Sequence, residues 1–224
     1  MGLLETILCW LPPTLGMIFG HYVAYPYLLG LGMEDLTAYF IATVPIVVLM
    51  LIASLVAYQV EGRPWTWAAF SQRFRLGRMG RHEWLWSVLG LLVLLIVAQG
   101  LNMGLLALYE ALHFTPPSFT FQAFNPLLML TLLFFNIVGE EFWWRGYMLP
   151  RQEAHFGRTA FLVNGVMWAF FHLFKWWAVP AMLLLCLIIP YTSQRLKHNG
   201  PAIFLHFMQN GLGVVLGIIL TLLK

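Results

Sequence analysis

Charge is scarce in this chain. Only 9% of its 224 residues are Asp, Glu, Lys or Arg, while 61% are hydrophobic; a soluble domain carries about 25% charged residues. A core of this length cannot hide so much apolar surface from water, so a soluble globular fold is excluded and lipid is the natural solvent. Cysteine is scarcer still. Cys9 and Cys186 both sit in apolar runs, and two are too few for a disulfide framework. Neither lies beside a histidine in the sequence. Short alternating apolar and polar runs are missing, which speaks against a membrane β-barrel. The first residues, MGLLETILCWLPPT, carry Glu5 and no Lys or Arg, so they lack the positive region of a cleavable signal peptide. There is no internal repeat and no low-complexity segment.

Long apolar runs remain. Several approach the roughly 20 residues needed to cross a bilayer. Seven segments can be drawn, at about 3–31, 36–60, 83–112, 125–149, 158–177, 179–195 and 202–223. The expectation is an all-α fold: one polytopic transmembrane helical bundle of about seven spans (six to eight), forming a single integral-membrane domain over 1–224. Pro12 and Pro13 are expected to break the first segment, leaving an interfacial helix followed by a span. The link between the fifth and sixth forces a tight hairpin around Pro180.

Lys and Arg set orientation. Ten of the twelve fall on one side if the helices alternate: Arg63, Arg73, Arg75, Arg78, Arg81, Arg151, Arg158, Arg195 and Lys197, with Arg145 near that face. Lys175 and Lys224 fall on the other. The arginine-rich side is expected to be cytoplasmic, with the N-terminus inside and the C-terminus outside. Trp65, Trp67, Trp84 and Trp86 then flank the inner interface, and Trp176 and Trp177 the outer. The arginine loop reads as a solvated stretch that meets anionic lipid head groups, not as a nucleic-acid surface.

Against this background VGEEFWWRGYMLP, residues 138 to 150, is costly. One charge at the middle of a span costs about 2.5–3.5 kcal/mol, and here are Glu140, Glu141 and Arg145. Glu141 and Arg145 are four apart and can pair on one helix face. Glu140 lies about 100° around the helix, with Asn136 and Trp144 as face-mates. One glutamate can therefore hold the arginine while the other points elsewhere. The bland alternative is a helix end emerging into water. Two further sites weigh against it. FLVNGVMWAFFHLFKWW carries His172, and IFLHFMQNGLGVVLG carries His206 and Asn210, four apart on one face. A lone intramembrane histidine serves helix-to-helix hydrogen bonding. Three polar faces on three late helices can converge on one cavity. Counted from Arg158, His172 lies deeper than the others unless the fifth helix starts inside the cytoplasmic face. His21, Asn102, Glu110, Asn164, Tyr191 and Gln209 are single polar residues assigned to packing or an interface.

These segments resemble the signature of the CPBP family, the CAAX proteases and bacteriocin-processing (Abi) proteins. Its pattern is EExxxR, FxxxH and HxxxN on successive transmembrane helices. Glu140, Glu141 and Arg145 fill the first, and His206 and Asn210 the third. In the second, Trp168 precedes His172 where phenylalanine is usual. The likeness covers about 125–215, the expected catalytic core. It implies an intramembrane endopeptidase, similar to type II CAAX prenyl endopeptidases, that uses a glutamate-activated water near the cytoplasmic face. Glu140 is then the general base, and Arg145 holds Glu141. His172 orients the water and passes a proton to the leaving amine. His206 and Asn210 donate to the oxyanion.

Two histidines and a glutamate are also a familiar zinc set. There is no HExxH helix, however, and the resemblance implies a metal-independent site with no cofactor. The implied partners are membrane lipids and a peptide or protein substrate, membrane-attached or lipidated; no nucleic acid is expected. Three alternatives stand: a non-proteolytic scaffold or regulator of the same family, a transporter using the same polar residues as a solute path, and a haem protein held by His172 and His206. Pseudo-repeated broken helices, the mark of a transporter, are missing.

Overall fold

A computed structural model of the protein describes residues 1–117 and 125–222, the side chains at 213, 216, 217 and 220–222 excepted. Residues 118–124 and Lys224, the latter used above to set orientation, lie outside the described residues. Helices occupy the apolar segments, and no strand occurs among the described residues. The elements are α1 (Leu3–Phe19), α2 (Tyr25–Gly30), α3 (Asp35–Val60), α4 (Trp67–Arg73), α5 (Arg81–Val93), α6 (Gln99–Ala111), α7 (Pro126–Glu141), α8 (Leu149–Phe156), α9 (Ala160–Phe171), α10 (Val179–Leu196) and α11 (Gly200–Leu222). Wide π-helical turns join α1 to α2, α5 to α6 and α7 to α8. Four helical runs among the described residues are long and apolar enough to cross a membrane. The fourth, Pro126–Leu196, reverses direction within itself and packs α9 along α10.

Local chemistry sets the helix starts. Glu34 caps α3 by accepting from the backbone N–H of Leu36 at 3.1 Å and Thr37 at 2.8 Å. Asn125 caps α7 by accepting from Leu128 N–H at 3.1 Å, with Pro126 in the first turn, where its missing donor costs nothing. Pro12 and Pro13 do not break the first segment, contrary to expectation. α1 runs through both, because neighbouring helices tolerate proline inside a membrane helix. The two prolines line an apolar recess against Ile46, Leu49 and Met50 of α3.

The main core is built on α9 and α10, with buried side chains from α1 (Met17), α3 (Val47, Met50), the π-helical turn after α7 (Trp144, Met148) and α11 (Leu205); α7 packs between α3 and α11, with Leu133 and Ile137 in a smaller cluster against Val214. Glycine allows the closest approaches. A Cβ built on Gly139 would lie 2.3 Å from the Val47 carbonyl oxygen on α3, and one on Gly165 would lie 2.3 Å from the Cys186 carbonyl oxygen on α10. Both obstacles are backbone and cannot swing away. Gly139→Ala is expected to cost about 1–3 kcal/mol through forced displacement of α7 from α3, read as a lower unfolding temperature in detergent. An unchanged midpoint would show that the two helices can separate freely.

The basic residues do gather at one end, but as an ion-pair network and not a simply solvated loop. Glu61 accepts from Arg63 and from both arms of Arg73 at 2.8–2.9 Å, and pairs with Arg151. The Arg73 hydrogen bond, helped by Arg63 and Arg151, holds the Glu61 carboxyl down to about 2. That pairing is complete above the ordinary carboxylate range and is lost only as pH falls toward this value. Arg75 forks onto Glu153 at 2.7 and 2.9 Å, and Lys197 joins the same carboxylate. Trp177 is buried, and its carbonyl accepts from the Tyr109 hydroxyl. Trp176 beside it is half exposed.

Candidate functional site

α7 ends on the two glutamates, and its rotation sends them to different partners. Glu140, buried, receives hydrogen bonds on both carboxylate oxygens: Asn136 Nδ2 donates to Oε1 and Trp168 Nε1 to Oε2, each at 2.5 Å. Asn136 is the same-face residue one turn back. Glu141 faces the other way. Its Oε1 lies 3.2 Å from Arg145 Nη1 and 2.8 Å from His206 Nδ1. Arg145 is fully buried and also stacks on Trp168, its guanidinium carbon 3.6 Å from the ring centroid. Trp168 thus donates to one glutamate while its ring face carries the other glutamate's arginine.

Behind the glutamates the chain widens into a π-helical segment, Phe142–Met148, a feature common at functional sites. Carbonyls at and beside this wide turn accept from side chains elsewhere. Asn199 Nδ2 donates to Glu141 O at 3.3 Å, Asn164 Nδ2 to Trp144 O at 3.0 Å, and Arg73 Nη1 to Gly146 O at 2.7 Å. The second lone pair of each carbonyl permits this. The arginine loop is thereby fastened directly beneath the site. Asn164 serves helix packing, as expected: it also donates to Gln152 on α8 at 2.8 Å.

Five motif residues line one cavity of about 530 Å³: Glu140, Trp168, His172, His206 and Asn210. Glu141 and Arg145 do not line it; they brace its wall. The cavity runs from Glu140 back along α7 past Asn136 and Leu133 to Met129, away from the arginine end. Asn210 is exposed, and its Nδ2 donates to Asn136 Oδ1 at 3.0 Å. A chain of amides therefore links α11 to Glu140. His172, which sequence counting placed deeper than the other motif residues, lies further along α9 from the arginine end than Trp168. α9 has only 12 residues, and Trp168 reaches Glu140, while His172 sits one turn beyond with no bond to either glutamate. Its Nδ1 lies 2.9 Å from Trp168 O. A carbonyl only accepts, so Nδ1 carries the proton and Nε2 keeps a lone pair. For His206 the carboxylate at Nδ1 leaves Nε2 as the nitrogen available to the cavity. Nε2 then accepts from a neutral ring and donates from an imidazolium.

Sequence reasoning missed three parts of this cavity. The indole N–H of Trp168 was read only as aromatic wall. Lys175, placed on the outer side, lines the cavity, and so does Gln209, assigned to packing. Only the tryptophan carried a usable signal: it is the one departure from the motif, and it adds a donor. Trp168→Phe keeps a ring and removes that donor. A hydrogen bond to a charged group contributes about 1.5–3 kcal/mol, so kcat is expected to fall roughly tenfold or more with KM little changed and membrane yield retained. A wild-type rate would mean that the bond does not fix Glu140.

Among the described residues no three of His, Cys, Asp and Glu are grouped to hold a metal ion. No curated protein and no solved structure matches the chain. Residues 121–212, the stretch that carries all three motifs, match the family model described as Rce1-like, type II CAAX prenyl endopeptidase; this bears out the resemblance and supports a CAAX-type intramembrane protease in general.

Proposed function

We propose that the protein is an intramembrane endopeptidase in which Glu140 is the general base. The observation that carries this reading is the division of labour between adjacent carboxylates. Glu141 is taken up by Arg145 and His206, whereas Glu140 faces the cavity and is oriented by two neutral donors. An oriented carboxylate with no cation paired to it keeps its basicity for a water. Glu140 takes a proton from that water, and the hydroxide attacks the substrate's carbonyl carbon. His172 Nε2 accepts the water's second hydrogen and so aims it. The second amide hydrogen of Asn210 donates to the tetrahedral oxyanion, joined by His206 when its ring is protonated. Losing one donor of this kind costs about 2.7–4 kcal/mol of transition-state stabilisation. As the C–N bond breaks, the proton on Glu140 passes to the leaving amine, relayed by His172. Membrane lipids surround the site, and a membrane-attached or lipidated peptide is the substrate class. With the arginine end cytoplasmic, the N-terminus lies inside.

The test is a comparison of protein termini in the native host, wild type against Glu140→Gln at equal expression. Termini that form only with the wild type identify the cleaved bond. Identical termini, with the cellular phenotype retained in the variant, would replace the protease with a scaffold.

A further inference from the structure

A second cavity, of about 630 Å³, opens at the arginine end between the turn before α9 and the last turns of α10. It is lined by Arg158, Phe161, Tyr191, Gln194, Arg195 and Lys197, none of them a carboxylate and none shared with the cavity at Glu140. Tyr191 and Arg195 are four apart on α10 and share a face. Gln194 fixes the two walls to each other. Its Oε1 accepts from the Phe161 N–H at 2.7 Å, and its Nε2 donates to Gly157 O at 2.9 Å. The end of α10 is thereby fastened to the turn that carries Arg158, and two arginines far apart in sequence are set around one space. Among the described residues neither Arg158 nor Arg195 has an ion pair or a side-chain hydrogen bond. Lys197 pairs with Glu153, but Arg75 already holds both oxygens of that carboxylate. The cavity therefore keeps an excess of positive charge.

We propose that this cavity binds the phosphate head group of an anionic phospholipid, held between the guanidinium groups of Arg158 and Arg195. A guanidinium fork matches two phosphate oxygens at once, and basic pockets between membrane helices take anionic head groups. Free phosphate in water offers the same anion, but the walls favour the lipid. Tyr191 packs edge-on against Phe161 at 5.1 Å and against Trp86 of α5 at 6.3 Å. Aromatic side chains of this kind sit at head-group level. Leu162 beside Phe161, and Val88 and Leu89 beyond Trp86, are exposed, as a surface covered by acyl chains must be. Binding here does not depend on the chemistry at Glu140.

The experiment titrates the full chain, purified in a neutral detergent, with phosphatidylglycerol, phosphatidylcholine or inorganic phosphate, and counts bound molecules by native mass spectrometry. The wild type is expected to retain phosphatidylglycerol in preference to phosphatidylcholine. Arg158→Gln with Arg195→Gln is expected to weaken phosphatidylglycerol by about tenfold or more and to leave phosphatidylcholine unchanged. Arg158→Lys with Arg195→Lys keeps the charge without the fork and lies between. The control is Arg78→Gln with Arg81→Gln, which removes the same charge from the exposed loop before α5; it is expected to bind as the wild type does. Equal retention of the two lipids by the wild type overturns the proposal. So does an equal loss in the cavity and control variants, which would make the effect one of overall charge. Phosphate that binds as tightly as phosphatidylglycerol and displaces it would make the ligand a soluble anion and overturn the lipid assignment. Should the glutamine pair fail to accumulate, the wild-type preference and the lysine pair decide.

Discussion

Glu140→Gln abolishes cleavage, by about 10²–10⁴-fold if the carboxylate serves as general base, while the protein still inserts and folds. The substitution is nearly isosteric but not silent. The carboxylate accepts from two donors, and a glutamine amide offers one oxygen and one NH₂. One donor must then face another donor. Asn136 can turn its own oxygen toward the new NH₂, but that oxygen already accepts from Asn210, so the mismatch moves along the chain of amides without vanishing. A stability loss of about 1–3 kcal/mol accompanies the loss of activity. Cleavage rate and unfolding temperature, measured on one preparation, separate the two effects. Full activity in the variant would remove Glu140 from the chemistry.

Arg145→Ala has the largest expected effect on folding. The arginine is fully buried, paired with Glu141 at 3.2 Å and stacked on Trp168 at 3.6 Å. Its removal strands a buried carboxylate with only His206 Nδ1 as partner. Breaking a buried pair from one side costs roughly 3–5 kcal/mol, a large part of the 5–15 kcal/mol that holds a typical domain folded. Membrane yield and thermal midpoint fall together. Arg145→Lys keeps the charge but loses the planar stack and lies between. Removing both partners, Glu141→Ala with Arg145→Ala, recovers part of the loss, because no bare charge remains; the double-mutant cycle measures the coupling. A wild-type midpoint in Arg145→Ala would place the pair in water.

The parts legible in the sequence are those governed by helix period. The seven apolar segments coincide with helical runs to within a few residues, and the 100° between Glu140 and Glu141 foretells their separate partners, Asn136 and Arg145. What escaped depends on neighbours far away in the chain. Nothing local says that α1 continues through Pro12 and Pro13, since tolerance comes from the helices around it. Lys175 reads as an outer flanking charge because the spans alternate, and nothing local says that the segment His172–Ala178 sets it on the cavity wall. Trp168 announces itself only as a wrong letter in a motif, and its N–H finds a purpose once α9 lies against α7.

The network around Glu141 also sets an order on assembly. Glu141, Arg145 and Trp168 belong to α7–α9, but the histidine that completes the buried pair, and the asparagine that holds Asn136 in place, stand on α11. Every other element described here leaves the ribosome before it. Until α11 docks, the paired charges lack His206, and the amide chain behind Glu140 lacks Asn210. A chain still being synthesised therefore carries an unfinished site. The buried network closes only when the eleventh helix is in place.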